Sequence, residues 1–263
     1  MAVSAIRTDG PMVLPRAFSL LRLLAEEPSG LNLSAIAAHL DAPKSSLSAT
    51  LKALTEQGFL IRTGSLYTLG PESYALASTI LAGRSIRQIA RPHLEQAVEA
   101  SGETVLLAVL DADQRHFTYI DLVESPKSVR YSVAVGTRRP LYATSCGRLF
   151  LAYQSDAWRQ KYFSDVDMKP VTEKTVTGVA ALEDLLAKIQ DEGLSVTLGD
   201  FSPDVAGFSS PIFNSEGEMI AALAVAMPVS RGIQQQDKFR ETAIQSAQSL
   251  SRTFGYKEKP ETG

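Results

Sequence analysis

The sequence predicts an α+β fold in two domains, and three observations lead there. Its 263 residues exceed the roughly 100–200 of one ordinary domain. The first 70 residues place apolar side chains at helical spacing and then show one short pair of β-prone runs. The rest alternates β-rich runs with amphipathic helices that cover the start and end of the series, the pattern of a mixed β-meander under helices.

Residues 1–12 are aperiodic and read as a mobile end. Phe18, Leu21, Leu24 and Ala25 then recur at helical spacing, and Pro28-Ser-Gly30 stops that helix. Asn32 is placed to cap a second helix that turns Leu33, Ile36, Ala37 and Leu40 inward. A third begins near Pro43, a residue suited to a first turn, buries Leu47, Leu51 and Leu54, and ends at Gly58. Phe59–Leu69 forms a hairpin around Thr63-Gly64-Ser65. Residues 13–70 thus make a first domain. A helical stretch over 71–84, with Tyr74, Leu76, Ala77, Ile80 and Leu81, reads as a connector ending at Gly83-Arg-Ser85.

The second domain, residues 85–256, opens with an amphipathic helix over 86–100 that Ser101-Gly102 stops. Strands are predicted at Thr104–Asp111, Arg115–Glu124 and Ser128–Val135. Helices follow near 145–154, 155–164 and 179–192, then strands near 194–198 and 207–213. Asn214-Ser-Glu-Gly217 turns the chain into the apolar run Met219–Met227, and a helix over 234–254 closes the domain. The tail 257–263 reads as mobile.

Composition narrows the function. A net charge of −3 excludes a uniformly basic nucleic-acid coat while leaving room for a small DNA-reading module with a local basic face. One cysteine, Cys146, excludes an intramolecular disulfide and a cysteine-based zinc site, which makes a reducing cytoplasm the expected compartment. The longest apolar run, Met219 to Val229, covers 11 residues, short of the ~20 of a membrane helix, so no membrane partner is expected. No signal-peptide core is present at the N-terminus.

Three helices and a hairpin have the layout of a winged helix-turn-helix. With its leucines inward, the third helix shows Lys44, Ser45, Ser48, Ala49 and Lys52 to solvent, a thin polar face with a cation at each end and no carboxylate. In a major groove such lysines grip phosphates, serines and first-turn amides bond phosphates or base edges, and Ala49 touches a thymine methyl. Pro43 and Ser46 complete that helix start, and Arg62 puts a charge beside the hairpin tip. A solvated face of an all-α packing domain would also carry Ser and Lys. Residues 1–70 hold six Lys/Arg (Arg7, Arg16, Arg22, Lys44, Lys52, Arg62) against five Asp/Glu (Asp9, Glu26, Glu27, Asp41, Glu56), so one copy would bind DNA weakly and a dimer is expected.

An ordered set of motifs resembles the IclR-type transcriptional regulators from about Pro15 to Tyr256. The first half carries Leu14-Pro-Arg-Ala-Phe-Ser-Leu-Leu, Gly30-Leu-Asn-Leu-Ser-Ala-Ile-Ala, Pro43-Lys-Ser-Ser-Leu, Leu54-Thr-Glu-Gln-Gly-Phe-Leu and Tyr67-Thr-Leu-Gly-Pro. The second carries Arg91-Pro-His-Leu, Ser101-Gly-Glu-Thr-Val, Val123-Glu-Ser-Pro, Val135-Gly-Thr-Arg-Arg-Pro-Leu-Tyr-Ala-Thr-Ser-Cys-Gly-Arg and Ser210-Pro-Ile-Phe-Asn. The resemblance implies a winged helix-turn-helix joined by a helix to a GAF-like effector domain. It further implies a homodimer or dimer of dimers on pseudo-palindromic double-stranded operator DNA, most commonly repressing a catabolic operon under a small metabolite. An effector-dependent activator of aromatic-acid catabolism is the alternative.

Two departures from the family follow. Its recognition helix usually has Arg where this chain has Ala49. In members that sense small keto- or aldehyde-acids, two amides at a helix start hold the carboxylate, and an Asp, a Cys and two Ser bind the remainder. The amide positions correspond to Ser145 and Cys146, after Thr144 as N-cap, so anion capture survives. The four side-chain positions correspond to Thr197, Gly207, Ala224 and Ala226, three of them without a hydrogen-bonding side chain. The expected effector is therefore a larger, less polar carboxylate, such as an aromatic acid packed by Tyr119, Tyr131 and Phe208. Small alternating residues at Ala224 and Ala226, and Phe208 and Tyr131 themselves, also suit plain core packing.

Two other classes compete. A cysteine enzyme acting on a small acid would use Cys146, its thiolate favoured by the helix start, but needs an oriented base. His39 falls in the DNA-reading half, His93 in a packing helix, and only His116, on a strand, is a candidate. No phosphate-loop, dinucleotide or nucleophile-elbow motif occurs, and the Asp111/Asp113 and Asp165/Asp167 pairs read as turn residues, so neither cofactor nor metal is expected. A pure protein-interaction module is the third class.

Overall fold

The computed structural model describes residues 13–82 and 86–257. The mobile end expected at 1–12, the boundary at Gly83-Arg-Ser85 and all of the tail beyond Lys257 lie outside the described residues. The chain divides into two compact units at Ser85/Ile86.

The first unit runs α1 (Val13–Glu26), β1 (Leu31–Asn32), α2 (Leu33–His39), α3 (Lys44–Glu56), β2 (Leu60–Thr63), β3 (Leu66–Leu69) and α4 (Pro71–Ala82). Asn32 caps α2 by accepting from the Ala35 amide at 2.9 Å. Asp41, at φ 44°, bends the chain between α2 and α3 in a conformation that Asp tolerates better than most residues. The hairpin β2–β3 pairs Thr63 with Leu66, and β1 adds a third antiparallel strand at the β3 edge that the sequence reading missed. Leu20, Leu24, Ile36, Leu47, Leu51 and Leu60 form the core. Phe18 and Ala25, expected to face inward, are exposed, because α1 turns Leu20 and Leu24 to the core instead. α4 leaves the hairpin directly, with the Ser73 hydroxyl donating to the Phe59 carbonyl at 2.7 Å. The side chains of Ile80 and Leu81 lie outside the described residues.

The second unit is one six-stranded sheet with helices on both faces. In chain order it holds α5 (Ile86–Ser101), β4 (Thr104–Leu110), β5 (His116–Val123), β6 (Arg138–Pro140), α6 (Ser145–Ala152), α7 (Asp156–Asp165), α8 (Val179–Glu192), β7 (Ser195–Leu198), β8 (Val205–Phe213), β9 (Met219–Pro228), α9 (Val229–Gln234) and α10 (Gln236–Thr253). The spatial order β6-β5-β4-β9-β8-β7 is antiparallel throughout, rather than mixed. Period-two alternation sends Ala221, Leu223 and Val225 of β9 toward α5 and α10, and Ala222, Ala224 and Ala226 toward α6 and α8. Every residue of α6 is buried. Gly147 is what lets it pack so closely, since a Cβ there would lie 2.2 Å from the Leu141 carbonyl oxygen.

The strand expected at Ser128–Val135 is a loop. Side chains take the hydrogen bonds that a ladder would have supplied: Thr104 Oγ1 donates to the Tyr131 carbonyl at 2.6 Å and Arg231 to the Val129 carbonyl at 2.8 Å. The short strand β6 forms only after Gly136 turns the chain at φ 90°.

Candidate functional site

In the first unit, α3 presents Lys44, Ser45, Ser48, Ala49 and Lys52 to solvent while Leu47 and Leu51 are buried beneath them. Pro43 is the exposed N-cap residue and supplies no side-chain cap. Ser46 does not join that outer face. Its hydroxyl bonds the Pro43 carbonyl at 3.0 Å and accepts from Arg16 at 3.3 Å, tying α3 to α1. The expectation of a face without carboxylates is corrected by Glu56, which lies one turn beyond Lys52 with its carboxylate 3.8 Å from the ammonium. An exposed pair of this kind is worth little, so Lys52 stays free to meet a phosphate. Arg62 folds back, donating to the Gly64 carbonyl at 3.0 Å and lying 5.5 Å over the Tyr67 ring.

In the second unit, a cavity of about 240 Å³ opens at the start of α6. Sheet register explains its floor: Thr197, Gly207 and Ala226 form one row across β7, β8 and β9. The structure brings Tyr119, Tyr131, Thr144, Ser145, Thr197, Gly207, Ala224 and Ala226 of the sequence-predicted set together around this space. Thr144 caps α6, its hydroxyl accepting from the Gly147 amide at 3.1 Å. The amides of Ser145 and Cys146 belong to the first turn, where a helix offers them no carbonyl. Gly207 has a tighter role than making room. A Cβ there would stand 2.6 Å from Ser145 Oγ.

Two of the predicted residues fall elsewhere. Phe208 alternates to the other face of β8, where it packs on Phe239 with ring centroids 5.7 Å apart. Cys146 is buried behind the wall, its thiol 3.4 Å from Ser209 Oγ, and burial pushes its pKa up to about 12. Desolvation therefore outweighs the helix start that would favour a thiolate. No histidine orients this thiol among the described residues. His116 instead meets Asp113 at 3.1 Å in an exposed cluster, and His93 bonds Thr253. Iodoacetamide near neutral pH is expected to leave Cys146 unmodified in the folded protein and to label it within minutes once urea unfolds the chain; fast labelling of the native state would contradict the burial.

Five lining residues escaped the sequence reading: Ser132, Arg139, Phe201, Ser202 and Val205. Arg139 stands in the Gly136-Thr-Arg-Arg-Pro run, where adjacent arginines gave no clue to which one faces inward. Phe201 and Ser202 lie in the loop after β7. That loop is tied to α6 by the buried Arg148, whose guanidinium donates to Asp200 at 2.8 Å and to the Tyr142 carbonyl at 2.9 Å.

Comparison with known proteins covers both units. A family model described as the IclR helix-turn-helix domain matches residues 13–64, and one described as bacterial transcriptional regulator IclR C-terminal matches 78–252. The transcriptional repressor IclR of Escherichia coli is 27% identical over 245 residues, 92% of this chain and 89% of that one. The acetate operon repressor of Salmonella typhimurium is 28% identical, covering 88% and 85% of the two chains. Among solved structures, the Agobacterium tumefaciens repressor BlcR superposes with a TM-score of 0.77 at 26% identity, over 95% of this chain and all of that one.

Proposed function

The chain belongs to the IclR family of bacterial transcriptional regulators, and from that premise we propose that it represses a catabolic operon until a small carboxylate effector binds its second unit. The family's members are regulators of transcription, not enzymes. The observation that carries the reading is the outer face of α3: two serines and an alanine between two lysines, on a helix whose other side is locked into a leucine core. That is the chemistry of a helix held on phosphates while its centre meets base edges.

The cavity supports the second half of the proposal. A helix start, several hydroxyls and one guanidinium line it, with no carboxylate, which suits an anion. Three aromatic rings, from Tyr119, Tyr131 and Phe201, favour an effector with an apolar, ring-bearing body. Leu14 and Phe18 lie exposed four residues apart on α1, on the side turned from the core, and a second copy of the chain would cover them. Two-fold symmetry then pairs two α3 helices with two half-sites. No helix among the described residues is long and apolar enough to cross a membrane.

The test is a gel shift with the DNA upstream of the protein's own gene. Specific binding is expected, weakened about tenfold or more by the double substitution Ser45→Ala, Ser48→Ala, two hydrogen-bond losses of about 0.5–1.5 kcal/mol each. Replacing Lys44 should flatten the salt dependence by about one phosphate per copy. Shifts equal for this DNA and unrelated competitor would overturn the proposal.

A further inference from the structure

We propose that Arg139 is the ligand-binding side chain that makes the cavity selective for an ionised acid over its neutral twin. The inference rests on the reading of that cavity as an effector site.

Arg139 is set apart from its neighbours by what it lacks. Arg138 pairs with Asp111 and Asp113, and Arg148 with Asp200, but among the described residues no carboxylate lies within salt-bridge distance of Arg139. It is half-buried and lines the cavity, which holds no acidic side chain to neutralise it. Within the chain it donates to the Arg138 carbonyl at 3.3 Å and faces the Tyr131 phenol. A partly desolvated guanidinium without a counter-ion gains most from a carboxylate that meets its planar fork with two parallel hydrogen bonds.

The fork is held in place from one side. The Arg139 guanidinium lies 5.1 Å over the Phe201 ring, a contact that occupies one face of the cation and leaves its in-plane N–H groups to hydrogen-bond acceptors, of which the Arg138 carbonyl engages one nitrogen at 3.3 Å. Arg148 and Asp200 fix the loop that carries Phe201. Burial pushes the pKa of the Tyr131 phenol upward, with the Arg139 charge opposing it, so at neutral pH the phenol is a protonated donor beside the fork.

A second hydroxyl is set to donate as well. Ser209 is fully buried and its hydroxyl donates to Ser145 Oγ at 2.7 Å, which leaves the Ser145 proton for an acceptor in the cavity. Ser209 acts through Ser145 and is a positioning residue. Guanidinium, phenol and serine hydroxyl thus all offer protons, and a carboxylate oxygen accepts them while an amide nitrogen does not.

The experiment measures binding of benzoate and benzamide to the full-length protein by calorimetry, with glyoxylate and pyruvate as compact acids. The wild type is expected to bind benzoate at least tenfold more tightly than benzamide. Arg139→Gln should lose about 10- to 100-fold for benzoate, the scale of a charged hydrogen-bonded pair, and bring the two ligands within about twofold of each other. Arg139→Lys, which keeps the charge without the fork, should fall between. Native melting of the variants without ligand separates lost binding from lost fold. Equal affinity of the wild type for benzoate and benzamide, or an Arg139→Gln variant that still prefers benzoate tenfold, would overturn the assignment. Ala226→Leu, which fills the cavity, distinguishes the two levels. If it abolishes benzoate binding while Arg139→Gln does not, Arg139 is wrongly assigned and the cavity stands. If benzoate binds as before, or no acid binds the wild type, the cavity reading fails and this inference with it.

Discussion

Replacing Arg148 by alanine is expected to destabilise the second unit by about 3–5 kcal/mol, the penalty of breaking a buried ion pair from one side. Arg148 is 1% exposed and sits on a helix that is buried along its whole length. Its loss strands the Asp200 carboxylate, whose other oxygen accepts from the Leu198 amide at 2.8 Å, and orphans the Tyr142 carbonyl. The loop bearing Phe201 would come loose, so ligand affinity should fall with stability. Urea unfolding of the full-length protein measures the effect. Adding Asp200→Asn to the alanine variant should recover part of the loss, because the stranded charge is then gone. A change below about 1 kcal/mol would show that the pair does not hold the loop.

Leu51→Ala is expected to cost the first unit about 2–5 kcal/mol. Among the described residues six buried apolar side chains form the centre of that core, and a loss on this scale is a large part of what so small a unit can have. The variant should lose DNA binding at 37 °C while the second unit, with its separate sheet and core, keeps acid binding. Gel shift and calorimetry on the same sample read the two outcomes; equal loss of both would contradict the independence of the units.

What the sequence made legible follows from how each feature is encoded. Helix starts were readable because Asn32 and Thr144 cap through their own side chains, a local interaction. Leu47 and Leu51 were readable from 3.6-residue spacing. α1 misled because it has two apolar sides, and only packing decides that Leu20 rather than Phe18 faces the core. The loop at 128–135 alternates like a strand, yet long-range bonds from Thr104 and Arg231 replace the ladder. In the cavity, Tyr119, Thr197, Gly207, Ala224 and Ala226 sit on strands, where register fixes direction, whereas Tyr131 reaches it from the loop at 128–135. Phe208 shows the limit: one step along β8 from Gly207 moves a side chain to the opposite face. Arg139 and Phe201 come from a short edge strand and a loop, and their meeting depends on Arg148 and Asp200, 52 residues apart.

Docking of α3 on a duplex can be read by footprinting the promoter beside the protein's gene at modest ionic strength. Wild-type protein is predicted to protect two half-sites separated by one helical turn or a multiple of it, and the Ser45→Ala, Ser48→Ala variant to leave them open at the same concentration. An unprotected promoter with the wild type, or the same protection with the variant, would contradict it.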